Sequence, residues 1–430
     1  MSKYHKTLEY LYSLERFGIK LDLSNTKSIL KYLGHPHKNF PSVHIAGTNG
    51  KGSVAAILQS VLSESGYKTG LYTSPHLIDF RERIRIGKRK IDKEFILDFV
   101  TDLKEKIEKN KYTFFEVTTA LAFSYFAQKE VDIAVVETGL GGRLDSTNAL
   151  SPELVIITTL SLDHTKILGK TLKKIAFEKA GIIKENVPTV VETDKKEALE
   201  VIRSVCRKKK SELLLVNRHC QWKILGKNLQ ETSFLLNYNS KTYNHLKIGL
   251  SGEHQIRNSA TAILALEELR KKGWKISDRS IREGLKNVNW RARFEVFRKK
   301  PLVILDVAHN PEGIRTLLKT MDELIPDKNI VFIFGVMADK DYPQMLKQIS
   351  KKTELILLTR PDYHRSATLR DLEKAVKKLN QEYKPFEKIK DAYFYALKTT
   401  SPSDAICITG SHFTVGEFLS LSGIHRRILR

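Results

Sequence analysis

Between residues 43 and 53 a short apolar run opens straight into a glycine loop and then into a helical repeat: Val43-His-Ile-Ala-Gly-Thr-Asn-Gly-Lys-Gly-Ser53. Glycines stand at 47, 50 and 52, and Lys51 lies inside the loop. From Ser53 onward Val54, Ile57, Leu58, Val61 and Leu62 recur at the spacing of one buried helix face. The stretch therefore opens a βα unit, and with it a sheet that needs helices to cover it. A strand, a glycine turn and a helix start also make an anion cradle. Glycines let backbone N–H groups approach, the helix start presents unpaired donors, and Lys51 adds a full positive charge. The usual phosphate loop reads G-x-x-x-x-G-K-[ST]. Here Ile45 stands five residues before Gly50, and Gly52 separates Lys51 from Ser53. A glycine turn with a chance lysine fits the bare string. The strand before it and the helix after it favour a nucleotide.

The alternation continues. Strand-type runs fall at Val43–Ala46, Thr69–Tyr72, Asp132–Val136, Leu154–Thr159, Thr189–Glu192 and Leu213–Val216, with helical patterns between several of them. One of these helices, Thr118–Ala127, is apolar enough to be buried all round. This pattern predicts a mostly parallel sheet with helices on both faces. Residues 221–250 differ: short strands with polar turns suggest an antiparallel unit, followed by a helix from about His254 to Arg270. The first pattern then restarts, with strands at Leu302–Leu305, Ile330–Phe334, Leu355–Leu358 and Ala405–Ile408. With 430 residues, two or three domains are expected, and the boundary is placed near 297.

Composition narrows the class. No apolar run reaches the ~18 residues of a membrane span, and the opening residues show no apolar signal region. Cys206, Cys220 and Cys407 are scattered and read as free thiols. Together these predict a cytoplasmic protein without a membrane partner. The net charge of +24 would suit nucleic acid or a polyanionic substrate. The basic residues, however, are spread along polar helix faces, and no nucleic-acid-binding signature is present. No nucleic-acid partner is expected.

Polar clusters follow the strands: Gly47–Lys51, Thr73–His76, Glu137–Gly142, Ser161–His164, Asp306–Asn310, Gly335–Asp341 and Thr409–His412. Open α/β sheets bind ligands at the carboxyl ends of their strands. Seven such clusters across two domains predict a site in the cleft between them. A nucleotide there would bring magnesium, for which Ser74 and Glu137 are the oxygen donors nearest the loop. Taken singly, Glu137 also fits a cap on the Gly139 turn, and Ser74 a turn residue before Pro75. His164 fits a core histidine, and Lys179 a solvated one.

The ordered set is more specific than its parts. Gly47–Ser53, Thr73–Leu77 with Glu82-Arg-Ile84, Glu137–Asp145 with Thr147-Asn148, and Leu162–Thr165 come in that sequence. Glu178–Lys184, His254-Gln255 with Asn258, Arg293–Glu295, Asp306–Pro311 and Thr409–Ser411 complete it. This series resembles folylpolyglutamate synthase and dihydrofolate synthase, within the Mur ligase superfamily, over almost the whole chain. The resemblance implies an α/β, two-domain Mur ligase-like architecture. Residues 1–296 would form an N-terminal, P-loop-type, mostly parallel sheet domain. Residues 297–430 would form a smaller, Rossmann-like, glutamate-binding C-terminal domain. The implied activity is ATP-dependent: a folate or dihydropteroate carboxylate becomes an acyl phosphate, which the amine of L-glutamate attacks.

By position, the resemblance makes Lys51, Glu137, His164 and Lys179 catalytic. Gly47, Thr48, Asn49, Gly50, Lys51, Gly52 and Ser53 would cradle the phosphates, with Asn258, Arg293 and Asp306 on the nucleotide. Two magnesium ions are implied, one on Ser74 and Glu137, the other on Glu137, His164 and a carbamylated Lys179. Pro75, His76, Arg83, His309 and Ser411 fall among the substrate-binding positions, the last two where the family binds incoming glutamate. A monomer is expected. Trp290-Arg-Ala-Arg293 departs from the family's Pro-Gly before the interdomain arginine, so Arg291 competes with Arg293 for that role. Two rival readings are a related ligase acting on another acid and a basic nucleotide-binding module that docks on nucleic acid.

Overall fold

The computed structural model describes residues 2–424 apart from 19 and 21. Its first sheet has eight strands in the order Arg89–Lys90, Ile84–Ile86, Thr69–Tyr72, Ile133–Glu137, Ser42–Ala46, Leu154–Ile157, Thr189–Val191 and Leu213–Leu215. All neighbours pair in parallel except at the Ile84–Lys90 edge hairpin. The fully buried strand Ser42–Ala46 lies inside the sheet. Its register pairs Ile45 with Glu137 on one side and Ala46 with Ile157 on the other. The loop that follows is therefore flanked by Glu137 and by Thr158.

The helix Lys51–Glu64 packs against the helices Glu253–Lys271 and Asp278–Asn287, with Val54, Ile57, Leu58, Val61 and Leu62 all fully buried. The expected all-apolar helix runs from Phe114 to Gln128. Thr113 and Glu116 close its N-terminus in a reciprocal capping box. Residues 220–248 form the antiparallel unit, a separate three-stranded sheet. Its middle strand buries Thr232, Phe234, Leu236 and Tyr238 in alternation, the period-2 pattern of a half-covered sheet.

The second sheet has six strands in the order Glu295–Lys299, Leu302–Leu305, Ala405–Thr409, Ile330–Phe334, Leu355–Thr359 and Glu382–Phe386. It is parallel except for the edge strand Glu295–Lys299. That strand spans position 297, so the chain leaves the first unit between Asn287 and Glu295. Ala292 is already tied to the second unit. Its N–H donates to Glu295 at 2.7 Å, and its carbonyl accepts from the Val307 N–H at 3.1 Å. On the other side, Trp290 lies against Gly52: a Cβ there would come within 3.0 Å of the indole.

Four strands have no apolar run in the sequence: the two of the Ile84–Lys90 hairpin, Glu295–Lys299 and Glu382–Phe386. All lie at or next to sheet edges, where charged side chains and proline are tolerated because one side stays unpaired. Among the described residues no helix is long and apolar enough to cross a membrane.

Candidate active-site cleft

The carboxyl ends of both sheets face one cavity of about 1740 Å³. Its centre is the loop after Ser42–Ala46. Thr48 N–H donates to the Thr159 carbonyl at 2.8 Å, and the hydroxyls of Thr158 and Thr159 both donate to the Asn49 carbonyl, at 2.8 and 3.1 Å. The neighbouring strand thus pins the loop from beneath. This contact demands glycine at 47, since a Cβ would lie 1.8 Å from the Thr158 hydroxyl. Gly50 adopts φ +89 and faces the Asn258 carboxamide.

Lys51 opens the helix and folds back over the loop. Its Nζ stands 3.2 Å from the Thr48 carbonyl and 3.6 Å from Glu137 Oε1. Glu137 is buried, and the Ser74 N–H donates to its other oxygen at 3.4 Å. Burial raises the Glu137 pKa, opposed by Lys51, the Ser74 N–H and Arg293. Glu137 therefore does not cap Gly139.

Lys179 is not a solvated lysine. It is buried, and its Nζ donates to the Gly47 carbonyl at 2.6 Å. The second glycine loop sets this position: Arg143 N–H donates to the Glu178 carbonyl at 2.7 Å, and the two side chains form an ion pair. Burial, reinforced by Lys51, lowers the Lys179 pKa to about 7.

The second domain closes the site from above. Lys340 donates to Asp163 Oδ1 at 2.7 Å and to His164 Nε2 at 3.1 Å, with both members of the ion pair 8% exposed. His309 Nε2 lies 3.6 Å from Asp163 Oδ2, to which Asn310 Nδ2 donates at 3.2 Å. Burial opposes ionisation of Asp163, but the nearby His309 imidazole and the Lys340 ammonium outweigh it and hold the carboxyl far below its usual range. Burial lowers the His164 pKa to about 4. Asn49 and Asn310 exchange two amide hydrogen bonds, at 3.0 and 3.2 Å, directly between the phosphate-type loop and the second domain.

Arg291 and Arg293 are placed differently. Arg291 points outward into an ion pair with Glu295 at 2.6 Å. Arg293 lies in the cleft, 3.4 Å from His412 Nε2 and within the field of Asp306 and Glu137. The Asp306 carboxylate accepts from the Phe294 and Ala308 N–H groups, both at 2.8 Å. His309 Nδ1 lies 2.9 Å from the Val307 carbonyl. The Ser411 hydroxyl accepts from the Thr414 N–H at 3.0 Å and is buried at the base of the helix His412–Ile424.

A third region opens beside Pro75. His76 Nδ1 accepts from Arg83 Nε at 2.8 Å, and burial lowers the His76 pKa to about 3. Tyr12 stacks on His76, and the Arg83 guanidinium lies over Phe114 at 5.2 Å. This is an aromatic pocket with one buried cation.

Family models match both halves of this arrangement: the Mur ligase middle domain over residues 45–266, and the Mur ligase glutamate ligase domain over 292–412. The dihydrofolate synthase/folylpolyglutamate synthase of Bacillus subtilis is 35% identical over 424 residues, covering 96% of this chain and 98% of that protein. The chain belongs to the folylpolyglutamate synthase and dihydrofolate synthase family of Mur ligases. The enzyme also aligns with the folylpolyglutamate synthase of Lacticaseibacillus casei at 32% identity, covering 95% of this chain and 96% of that one. The crystal structure of the Thermotoga maritima folylpolyglutamate synthase superposes with a TM-score of 0.82 at 36% identity, covering 97% of this chain and 96% of that one. Escherichia coli FolC in complex with DHPP and ADP gives 0.88 at 28% identity, with 98% of each chain covered.

All the residues named from the sequence line this one cleft or its walls. Asp163, Lys340 and Asn310 were not singled out as site residues, although each lies inside a polar cluster that was. Their common signal was position after a strand. What the sequence lacks is the partner: the Asp163–Lys340 pair joins residues 177 positions apart in different domains.

Proposed function

We propose that the enzyme joins L-glutamate to the carboxylate of a folate, and to that of dihydropteroate, using ATP and releasing ADP and phosphate. The observation that carries this reading is the Lys51–Glu137 pair on a glycine loop that the second domain covers through Asn310. Phosphoryl transfer asks the protein mainly for positioning and charge neutralisation. Lys51 and the loop N–H groups would hold the β- and γ-phosphates, and Asn258, Arg293 and Asp306 the rest of the nucleotide. His309 and Ser411 would bind glutamate, and Pro75, His76 and Arg83 the folate. The acceptor carboxylate attacks the γ-phosphorus and ADP leaves. The glutamate amine then attacks the acyl carbon, and phosphate and a proton leave. Further closure of the second domain over the loop would keep water from the acyl phosphate.

Magnesium fits the donors present. Among the described residues no three or more His, Cys, Asp and Glu side chains gather into a metal site. Ser74 and Glu137 offer a hydroxyl and a buried carboxylate at the lip of the loop, a sparse oxygen set of the kind magnesium completes with water and phosphate. Glu137, His164 and a carbamylated Lys179 would hold a second ion. Bound magnesium supplies charge neutralisation on the phosphates. A Lys179 amine with its pKa lowered to about 7 is partly neutral at physiological pH, so it can add carbon dioxide, losing a proton and gaining a carboxylate. Three buried free cysteines support a cytoplasmic, reducing location, and we take the enzyme to act as a monomer.

Phosphate release with ATP and glutamate, measured with dihydropteroate and with tetrahydrofolate in parallel, tests the reading. Release that requires glutamate and either pterin acid is expected. Release indifferent to both would end it. A rival nucleic-acid module would instead show steeply salt-dependent binding to RNA or DNA.

A further inference from the structure

The cleft has an arm that the reaction above leaves unused. It runs from the glycine loop along the outer face of the helix Lys51–Glu64, where Ala56, Gln59, Ser60 and Ser63 line it. One wall is the edge hairpin, with Arg85 and Lys88. The other is the interdomain segment, with Asn289 and Trp290. The floor is small and polar, and seven residues of helix give it a length of about 10 Å.

Two groups in this arm, the Arg85 guanidinium and the Trp290 indole N–H, are short of partners among the described residues. Arg85 is partly buried; among the described residues it donates only to the Glu82 carbonyl, at 3.2 Å, and has no carboxylate within ion-pair distance. The acids nearest it in sequence are occupied: Asp79 by Arg81 and Lys90, and Glu82 by Lys90 and backbone N–H groups. Its guanidinium lies over the Trp290 ring at 5.6 Å. The Trp290 Nε1 donor is itself buried, with no hydrogen-bond partner among the described residues. Lys88, at the turn of the hairpin, is exposed and in no ion pair among the described residues. Buried charges and donors are ordinarily paired. The floor's own polar groups are paired, Gln59 with Ser63 and Ser60 with the Gly284 carbonyl, and Glu64 at the far end accepts from Asn287, which leaves Arg85, Lys88 and the Trp290 N–H to meet a ligand. The arm suits a chain of carboxylates and amides and does not suit a flat ring system, for which the pocket of Tyr12, His76 and Phe114 is better built.

We infer that this arm is a tail site for the γ-linked glutamyl chain of folates that already carry more than one glutamate, with Arg85 as its carboxylate anchor. The inference rests on the ligase reading above. When the terminal γ-carboxylate reacts beside Lys51, the preceding glutamyl units lie along the helix, and Arg85 pairs with one of their α-carboxylates. The arm therefore sets preference for tail length and leaves the chemical step to other residues. Arg85 is a specificity residue and does not touch the reacting atoms.

Two measurements test this. The first is kcat/KM for tetrahydrofolate mono-, di- and triglutamate in wild type, Arg85→Gln and Lys88→Gln. Within Arg85→Gln the triglutamate-to-monoglutamate ratio should fall about tenfold, the loss of one charge-assisted hydrogen bond, through KM and not kcat. Lys88→Gln, an exposed change that spares packing, should lower the same ratio less. An unchanged ratio, or a parallel fall for every tail length, overturns the proposal. The second uses tri-γ-glutamate peptide without pterin, titrated against tryptophan fluorescence. Saturable binding that weakens with salt and with Arg85→Gln is expected. Absence of binding, or displacement of the peptide by ADP, assigns the arm elsewhere and overturns it. Because the peptide titration needs no turnover, failure of the ligase reading would show separately, as wild type releasing no phosphate with any folate.

Discussion

Replacing Lys340 by alanine should loosen the two domains from each other, and the structure sets the size of the effect. The ammonium lies 2.7 Å from Asp163 Oδ1 with both side chains 8% exposed. Removing one member of a buried pair costs about 3–5 kcal/mol, because the remaining charge is left without compensation. Here the loss is partly offset. Asp163 keeps Asn310 at 3.2 Å and His309 at 3.6 Å, and the neighbouring cleft admits water. A cost of about 2–3 kcal/mol follows, near the low end of that range. Asp163→Asn removes the same pair from the other side and strands the lysine. The double mutant should therefore be less damaged than the two single costs sum to, with a coupling energy of at least about 1.5 kcal/mol. Urea unfolding of the wild type, both single mutants and the double mutant, followed by circular dichroism, gives that number. Each variant's slope must stay constant for the comparison to hold. A coupling energy below about 0.5 kcal/mol would show that the pair holds nothing together, and that Asp163 is stabilised by Asn310 and His309 alone.

Lys51→Ala should cut turnover by a factor on the order of 10³ while leaving the circular dichroism spectrum unchanged, since a lost phosphate-directed cation weighs about that much; near-normal ligation would remove Lys51 from the mechanism. Gly47→Ala should abolish nucleotide binding measured by calorimetry, because the added carbon would lie 1.8 Å from the Thr158 hydroxyl; wild-type affinity for ADP would mean that the loop moves freely. Labelled bicarbonate should give a carbamate carbon-13 signal that disappears in Lys179→Ala, and a short carboxylic acid should partly restore that mutant's activity. His44 is fully buried and hydrogen-bonded to Thr147, and burial lowers its pKa from 6.5 to about 3. The unfolded chain therefore binds more protons, and stability falls as pH drops from about 6.5 towards 3, by about 2 kcal/mol at pH 5 from this residue alone. A His44→Gln variant that lost stability over this range as steeply as wild type would assign the acid sensitivity elsewhere.

The sequence revealed most where a feature is local. Strand, glycine loop and helix at 43–62 are contiguous, so their chemistry could be read from spacing, and the parallel sheet followed from alternation. The edge strands were missed because exposure on one side removes the apolar run that marks a strand. Lys179 entered the site through the resemblance alone; its burial was not legible from spacing. On its helix it has the same spacing as a surface lysine, and only the second glycine loop, folded against Glu178, brings it beneath Gly47. Arg291 and Arg293 are equivalent as text. The Glu295 carboxylate separates them by drawing the first one outward.

The segment between the domains is tethered more tightly than its length in sequence suggests. Trp290 is wedged against Gly52 on one side, and Ala292 is hydrogen-bonded into the second unit on the other. Free torsion is left to the few bonds around Arg291. A joint so short permits the two bodies to turn about each other but not to drift apart. The joint therefore begins against the phosphate-type loop itself, at the Trp290–Gly52 contact. Lengthening the joint by two or three glycines would release that constraint without altering any residue that touches substrate.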